Sequence, residues 1–166
     1  MNMIRTEQPG DRERIRTVNE AAFGCPDEAD LIDNLRAEGA VLLSLVAETD
    51  GHVVGHILFS RMTIETDRGP VAAVSLAPMA VLPEHQRRQV GSSLIRQALN
   101  ELRDQGERIV LVLGHKKYYP RFGFSVEKAR SLASPFPPEA YMALELVAGA
   151  LDGVCGSVRY ASAFGL

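Results

Sequence analysis

The chain has 166 residues, 46% hydrophobic and 23% charged, with a formal net charge of -3 at pH 7. That length suits one domain, read here as residues 1–166, and the charge balance lacks the basic stripe of a nucleic-acid binder. Cys25 and Cys155 fit neither a disulfide framework nor a CxxC metal site, no apolar leader is visible, and no run reaches the ~18–20 apolar residues of a membrane span, so a cytoplasmic protein without metal or membrane contact is expected.

Pro9-Gly10 precedes the first helical pattern, and Asp11 stands where a carboxylate caps a first turn. Ile15, Val18 and Ala22 then recur at helical spacing, and Phe23-Gly24 ends the stretch. A second helix is predicted from Pro26, with Leu31, Ile32 and Leu35 on its buried face and Gly39 as its stop. Val41–Glu48 reads as the first strand. Asp50-Gly51 is a hairpin turn signal, and His52–Ile64 is the returning strand, with a bulge suggested at Gly55. Asp67-Arg68-Gly69-Pro70 makes a second turn into the strand Val71–Leu82.

The pattern changes after Pro83. A polar, basic loop runs to Val90, and Gly91 opens a helix carrying Leu94, Ile95, Ala98, Leu99 and Leu102 on one face. Gly106 ends it. Arg108–Leu113 is apolar enough to be a strand buried on both faces. A strand, helix and strand of this length make a right-handed crossover, so the strands flanking the helix should be parallel. A helical turn near Lys116–Arg121, a Pro-rich loop over Ser134–Pro138, and strands at Met142–Val147 and Gly156–Tyr160 complete the chain. The expected fold is α/β (α+β): a mixed, mostly antiparallel sheet of six to seven strands with helices on both faces.

The segment Gln86-Arg87-Arg88-Gln89-Val90-Gly91-Ser92 carries the functional signal. A strand that turns through a basic loop into a helix aims unpaired N–H groups at one point, backed by the helix dipole. Gly91, having no Cβ, lets a phosphate approach the backbone. An ordinary capped helix with a solvated arginine pair is the plainer alternative. A P-loop is excluded, because no Gly-Lys-Ser/Thr closes the segment, and the spaced glycines of a dinucleotide fingerprint are missing.

The order Leu76-Ala77-Pro78-Met79-Ala80-Val81-Leu82-Pro83 followed by Gln86-Arg87-Arg88-Gln89-Val90-Gly91 resembles the acetyl-CoA motif of the GNAT N-acetyltransferases. A second block, Val112-Leu113-Gly114-His115-Lys116-Lys117-Tyr118-Tyr119-Pro120-Arg121-Phe122-Gly123-Phe124, is similar to one in the small bacterial YhbS-like branch. So is the ending, from Met142–Leu146 to Val158-Arg159-Tyr160. The likeness spans nearly the whole chain in matching order. It departs at Gln89, where the motif has glycine. Gln89 still offers its N–H from a negative φ, whereas a left-handed φ there would cost about 1–2 kcal/mol.

The resemblance implies acetyl-CoA as co-substrate, an amine acceptor, and no metal. It implies coenzyme contacts from Met79, Ala80, Val81, Gln86, Arg87, Arg88, Gln89, Val90, Gly91 and Ser92. It also implies a bulge near Pro78-Met79 that opens a wedge against Arg108–Leu113. Tyr119, four residues before Gly123, matches the family's general-acid tyrosine, with Tyr118 as the neighbouring substitute. The base stays open among Glu28, His56, His115 and Glu145, with water as a further choice. Glu145 alternates with Leu144 and Leu146 and reads as a structural carboxylate, while residues 23–28 are expected to border the acceptor site. The late strands leave room for a homodimer. The competing expectation is an acyl-CoA-binding sensor of the same fold without turnover.

Overall fold

The computed structural model describes residues 2–166. In chain order these form β1 (Met3–Thr6), α1 (Arg12–Phe23), α2 (Asp27–Ala37), β2 (Val41–Thr49), β3 (His52–Thr66), β4 (Gly69–Val81), α3 (Val90–Asp104), β5 (Ile109–Leu113), β6 (Leu132–Ala133), β7 (Tyr141–Glu145) and β8 (Gly156–Arg159). One mixed sheet runs β1-β2-β3-β4-β5-β7, and β8 pairs with both β3 and β6. Eight strands therefore replace the expected six to seven. The added ones are short: β1 is a four-residue strand with both ends exposed, and β6 has two residues. Neither is long enough to show an alternation in the sequence.

Asp50 and Gly51 both take positive φ, at 51° and 78°. That is the handedness matching strand twist in a two-residue hairpin. At the start of α1 the expected cap is not made. The Asp11 carboxylate instead accepts hydrogen bonds from the Arg5 guanidinium, at 2.7 and 2.9 Å, and from the Gln8 N–H at 2.7 Å. Arg5 thereby holds the Asp11 carboxyl down to about 2 and ties β1 to the helix.

Helices cover both faces of the sheet. Ile15 and Val18 of α1, with Ile32 and Leu35 of α2, pack on Val46, Leu58 and Ala80. Leu94, Ile95, Ala98 and Leu102 of α3 pack on Leu45, Ile57, Val74 and Val110 of the other face. Burying each such Leu or Ile contributes roughly 1.5–3 kcal/mol, which fixes α3 and hence its first turn against β4.

Two irregularities make room for a ligand. In the β3–β4 ladder Ile57 pairs with Met79 but Phe59 pairs with Leu76, so β4 carries an extra residue at Ala77-Pro78. Between β4 and β5 the parallel pairing is confined to Val74 with Val110 and Ser75 with Leu111. Beyond Ser75 the two strands part. The bulge and the wedge lie where the resemblance implies them.

His56 of β3 sits opposite Ala80 and is fully buried. Its Nδ1 is 3.3 Å from Asn19 Nδ2 and its Nε2 is 2.9 Å from Ser44 Oγ, whose O–H donates to Glu7. Glu7 Oε1 is 4.0 Å from Nε2, yet burial outweighs that attraction and, with Arg36, holds the imidazole down to about 3. Between the ordinary 6.5 and that value the unfolded chain binds a proton that the native chain refuses. Native stability from His56 is therefore present above pH 6.5 and lost as pH falls. Denaturant titration should show about 2 kcal/mol lost from pH 7 to pH 5 through this residue, since each pH unit is worth about 1.4 kcal/mol. His56→Gln should flatten that slope. An unchanged slope would mean another group carries it.

Candidate active site

The loop between β4 and α3 begins with a short 3-10 turn, Pro83–His85. The Gln86 side chain then donates to the Val81 carbonyl at 3.0 Å, lashing the loop to β4. Arg87 and Gln89 take left-handed φ values of 62° and 65°, separated by Arg88. Alternating handedness of this kind curls successive N–H groups into one concavity. Among the described residues, nothing accepts the N–H groups of residues 87–92, and Ser93 N is the donor that reaches back, to Gln89 O at 3.0 Å. The Gln89 side chain does not cap the helix either. Six open donors and the positive end of the helix dipole therefore lie in one short loop, and all of its residues but Arg88 line a common cavity. Gln89 thus lacks the negative φ that would have spared it strain, and it keeps the left-handed turn at a cost of about 1–2 kcal/mol.

This loop forms one wall of a cavity of about 680 Å³ that gathers Met79, Ala80, Val81, Gln86, Arg87, Gln89, Val90, Gly91 and Ser92. His115, Tyr118 and Tyr119, from the turn after β5, line it as well. Of the anticipated coenzyme contacts, Arg88 is outside and exposed. Glu28 is also elsewhere, in a groove with Leu31, Asn34 and Phe164, where it accepts a weak hydrogen bond from Cys25. Helix α2 turns it away from the cavity that Phe23, at the end of α1, does reach. Ala22, His85 and Arg121 line the cavity as well. Ala22 stood out only as part of a buried helix face, and His85 and Arg121 carried no periodic sign, because the three join the cavity from separate elements. A second cavity of about 580 Å³, beside Glu7, Arg36, Ser44 and Glu101, holds none of the candidate residues.

The two tyrosines are held differently. Both their backbone N–H groups donate to His115 O, at 3.0 and 3.2 Å, so a single turn after β5 positions all three side chains. The Tyr118 hydroxyl lies 3.1 Å from Ser92 Oγ, over the first turn of α3, and Arg121 stacks on its ring at 5.5 Å. A Cβ added at Gly91 would stand 3.2 Å from that hydroxyl and 3.4 Å from the Met79 methyl. Tyr119 is 8% exposed, with Phe124 edge-on at 5.7 Å. Its ring lies against bare backbone at Gly114, where any Cβ would overlap it. Gly114 is thus a site-forming residue that sequence reasoning passed over. The Tyr119 hydroxyl has no hydrogen-bond partner among the described residues, nor is it one of the sealed unpartnered oxygens, so it is open to the cavity. Burial, reinforced by Tyr118, pushes it up to about 12, keeping it a proton donor at any neutral pH.

The remaining base candidates separate by environment. His56 is sealed in its own network away from the cavity. Glu145 accepts from Leu151 N at 2.8 Å and lies 3.5 Å from Lys128 Nζ, the structural role its alternation suggested. His115 alone among the four lines the cavity. Chemically, the cavity offers a built anion site, an unpaired strand edge, and a phenol that keeps its proton.

Residues 3–126 match a family model described as an acetyltransferase (GNAT) domain. The chain is 42% identical to the uncharacterized N-acetyltransferase YjhQ of Escherichia coli (strain K12) over 137 residues, covering 80% of this chain and 76% of YjhQ. It is 32% identical to the uncharacterized N-acetyltransferase YhbS of the same strain over 161 residues, 95% of each chain. The crystal structure of Escherichia coli YhbS in complex with CoA superposes with a TM-score of 0.92 at 31% identity, covering 99% of this chain and 92% of that one. A GNAT family acetyltransferase from Brucella melitensis in complex with acetyl-CoA gives 0.83 at 37% identity, covering 99% and 98%. With the split between β4 and β5, the open loop amides and these relatives in agreement, the chain belongs to the GNAT family of acetyltransferases.

Proposed function

We propose that the protein transfers the acetyl group of acetyl-CoA to a primary amine by direct attack of the amine on the thioester. The observation that carries this reading is the meeting, in one cavity, of Arg87 and residues 89–92, whose N–H groups are open, with the Tyr119 hydroxyl, which has no partner among the described residues. The loop amides and Arg87 would hold the pyrophosphate, and Gly91 would let it approach the first turn of α3. Pantetheine would lie along Met79–Val81, on the edge of β4 that β5 leaves unpaired. A backbone N–H of Ala80 or Val81 would polarise the carbonyl oxygen as charge gathers there. Tyr119 would supply the proton to the departing sulfur, whose free thiol has a pKa of ~8.5. That two relatives are seen with CoA and acetyl-CoA supports the choice of coenzyme.

CoA and acetyl-CoA at a hundredfold excess over their Kd should each stabilise the native protein by about 2.7 kcal/mol. For a chain this long that is a rise of roughly 5–10 °C in Tm. Pantetheine, which lacks the phosphates, should raise it far less. Equal shifts would remove the loop from the binding site. One observation favours the reading without turnover: no carboxylate lines the cavity to take the amine's proton, among the described residues. Thiol release across a panel of amines separates the two readings.

A further inference from the structure

The ionisable side chains lining the cavity are Arg87, Arg121, His85, His115 and the phenols Tyr118 and Tyr119. Among the described residues neither Arg87 nor Arg121 makes an ion pair, although ten arginine or lysine ion pairs occur elsewhere. The positive end of α3 opens into the same space. Arg87 and the loop amides suffice for a pyrophosphate. His115 and Arg121 line the same cavity, while His85 continues into a groove along α1 that holds Arg14 and Thr17 together with the carboxylates of Asp50 and Glu84. Phe23, 43% exposed, supplies the apolar part of that end.

A polyamine or aminoglycoside arrives with several ammonium groups. Each extra one needs a carboxylate partner or stays in water, and a cavity that offers the Arg121 guanidinium and no carboxylate among its lining residues repels it. An acceptor bearing a carboxylate or phosphate finds complementary charge instead. The same field acts on the reacting amine, because neighbouring positive charge lowers an ammonium's pKa and raises the neutral fraction. A basic cavity can therefore furnish a neutral nucleophile without a carboxylate base.

Resting on the transferase reading above, we infer that the acceptor is an amine that also carries an anionic group, and that the basic lining of the cavity selects it. The nitrogen lone pair forms the C–N bond as the C–S bond breaks. The nitrogen gives one proton to water, and Tyr119 gives one to sulfur and regains it from solvent. The products are an N-acetylated anion and free CoA.

The test is thiol release from acetyl-CoA with matched acceptors: phenylalanine against phenethylamine, aspartate against 1,3-diaminopropane, and spermidine. The carboxylated member of each pair should show a kcat/KM at least tenfold higher, with spermidine lowest. Phe23→Glu, which sets a carboxylate on an exposed position of the acceptor wall, should shrink that ratio at least fivefold and leave the acetyl-CoA Kd unchanged. Turnover with polyamines preferred overturns the inference and leaves the transferase reading standing. A ratio unmoved by Phe23→Glu also overturns it, since the lining would not be selecting. Tight coenzyme binding with no thiol release from any acceptor sinks the transferase reading, and the inference with it.

Discussion

Replacing Tyr119 by phenylalanine should lower kcat by roughly 10²–10⁴-fold, the usual contribution of a general acid. The ring must stay where it is for this to be informative, and the packing says it will. Gly114 and Phe124 hold the ring itself, and the hydroxyl has no partner to lose among the described residues. Tyr119→Phe should therefore fold with a Tm close to that of the parent. The KM for acetyl-CoA should barely move when chemistry is slow, because the missing proton is needed only in the transition state. The raised pKa adds a second expectation. A donor pushed up to about 12 keeps its proton well past the ordinary 10 of a tyrosine, so kcat should not fall between pH 8 and 10. Tyr118→Phe is the control. Its hydroxyl is spent on Ser92 in the first turn of α3, so its loss should touch coenzyme affinity by a few-fold and kcat little. If Tyr118→Phe loses kcat and Tyr119→Phe keeps it, the acid is one residue earlier. If both keep it, neither phenol is the donor.

Much of the site was legible because its parts are contiguous in sequence. The loop from Gln86 to Ser92 reads as an anion-binding turn from its own residues, and the pair Tyr118-Tyr119 was placed beside it by the resemblance of its block to the family. The parallel step from β4 to β5 followed from the length of the crossover, and the hairpin at Asp50-Gly51 from its turn chemistry. What was hidden depends on elements converging from far apart. Phe23 and Glu28 lie five residues apart in the same segment, yet helix α2 begins between them and sends only Phe23 to the cavity. Asp11 has the identity of a cap, but Arg5, the third residue of a strand too short to recognise, claims its carboxylate. Gln89 illustrates a third limit. Its left-handed φ is set by the curl of the loop as a whole, against the local preference of a glutamine.

Gly91→Val should weaken acetyl-CoA binding by more than a hundredfold, about 2.7 kcal/mol, while Gln89→Gly should change it by less than tenfold. The two positions are two residues apart in the proposed anion site, and the two substitutions act for different reasons. At Gly91 a Cβ alone would stand 3.2 Å from the Tyr118 hydroxyl and 3.4 Å from the Met79 methyl, tighter than an ordinary contact. The two further methyls of valine must push into those groups or across the open amides, and either movement closes the approach a phosphate needs. Helix propensity does not oppose this substitution, since valine is a better helix former than glycine. Gly91→Val should thus remain folded and bind poorly, a separation that far-UV circular dichroism and isothermal titration can establish together. Gln89 contributes a backbone N–H that glycine contributes equally well. Glycine relieves the cost of a φ of 65°, and its greater freedom in the unfolded chain offsets much of that gain. The Tm of Gln89→Gly should therefore stay within a few degrees of the parent. Were Gln89→Gly the more damaging change, the glutamine side chain rather than its amide would be holding the coenzyme, and the concavity of open N–H groups would not be the anion site.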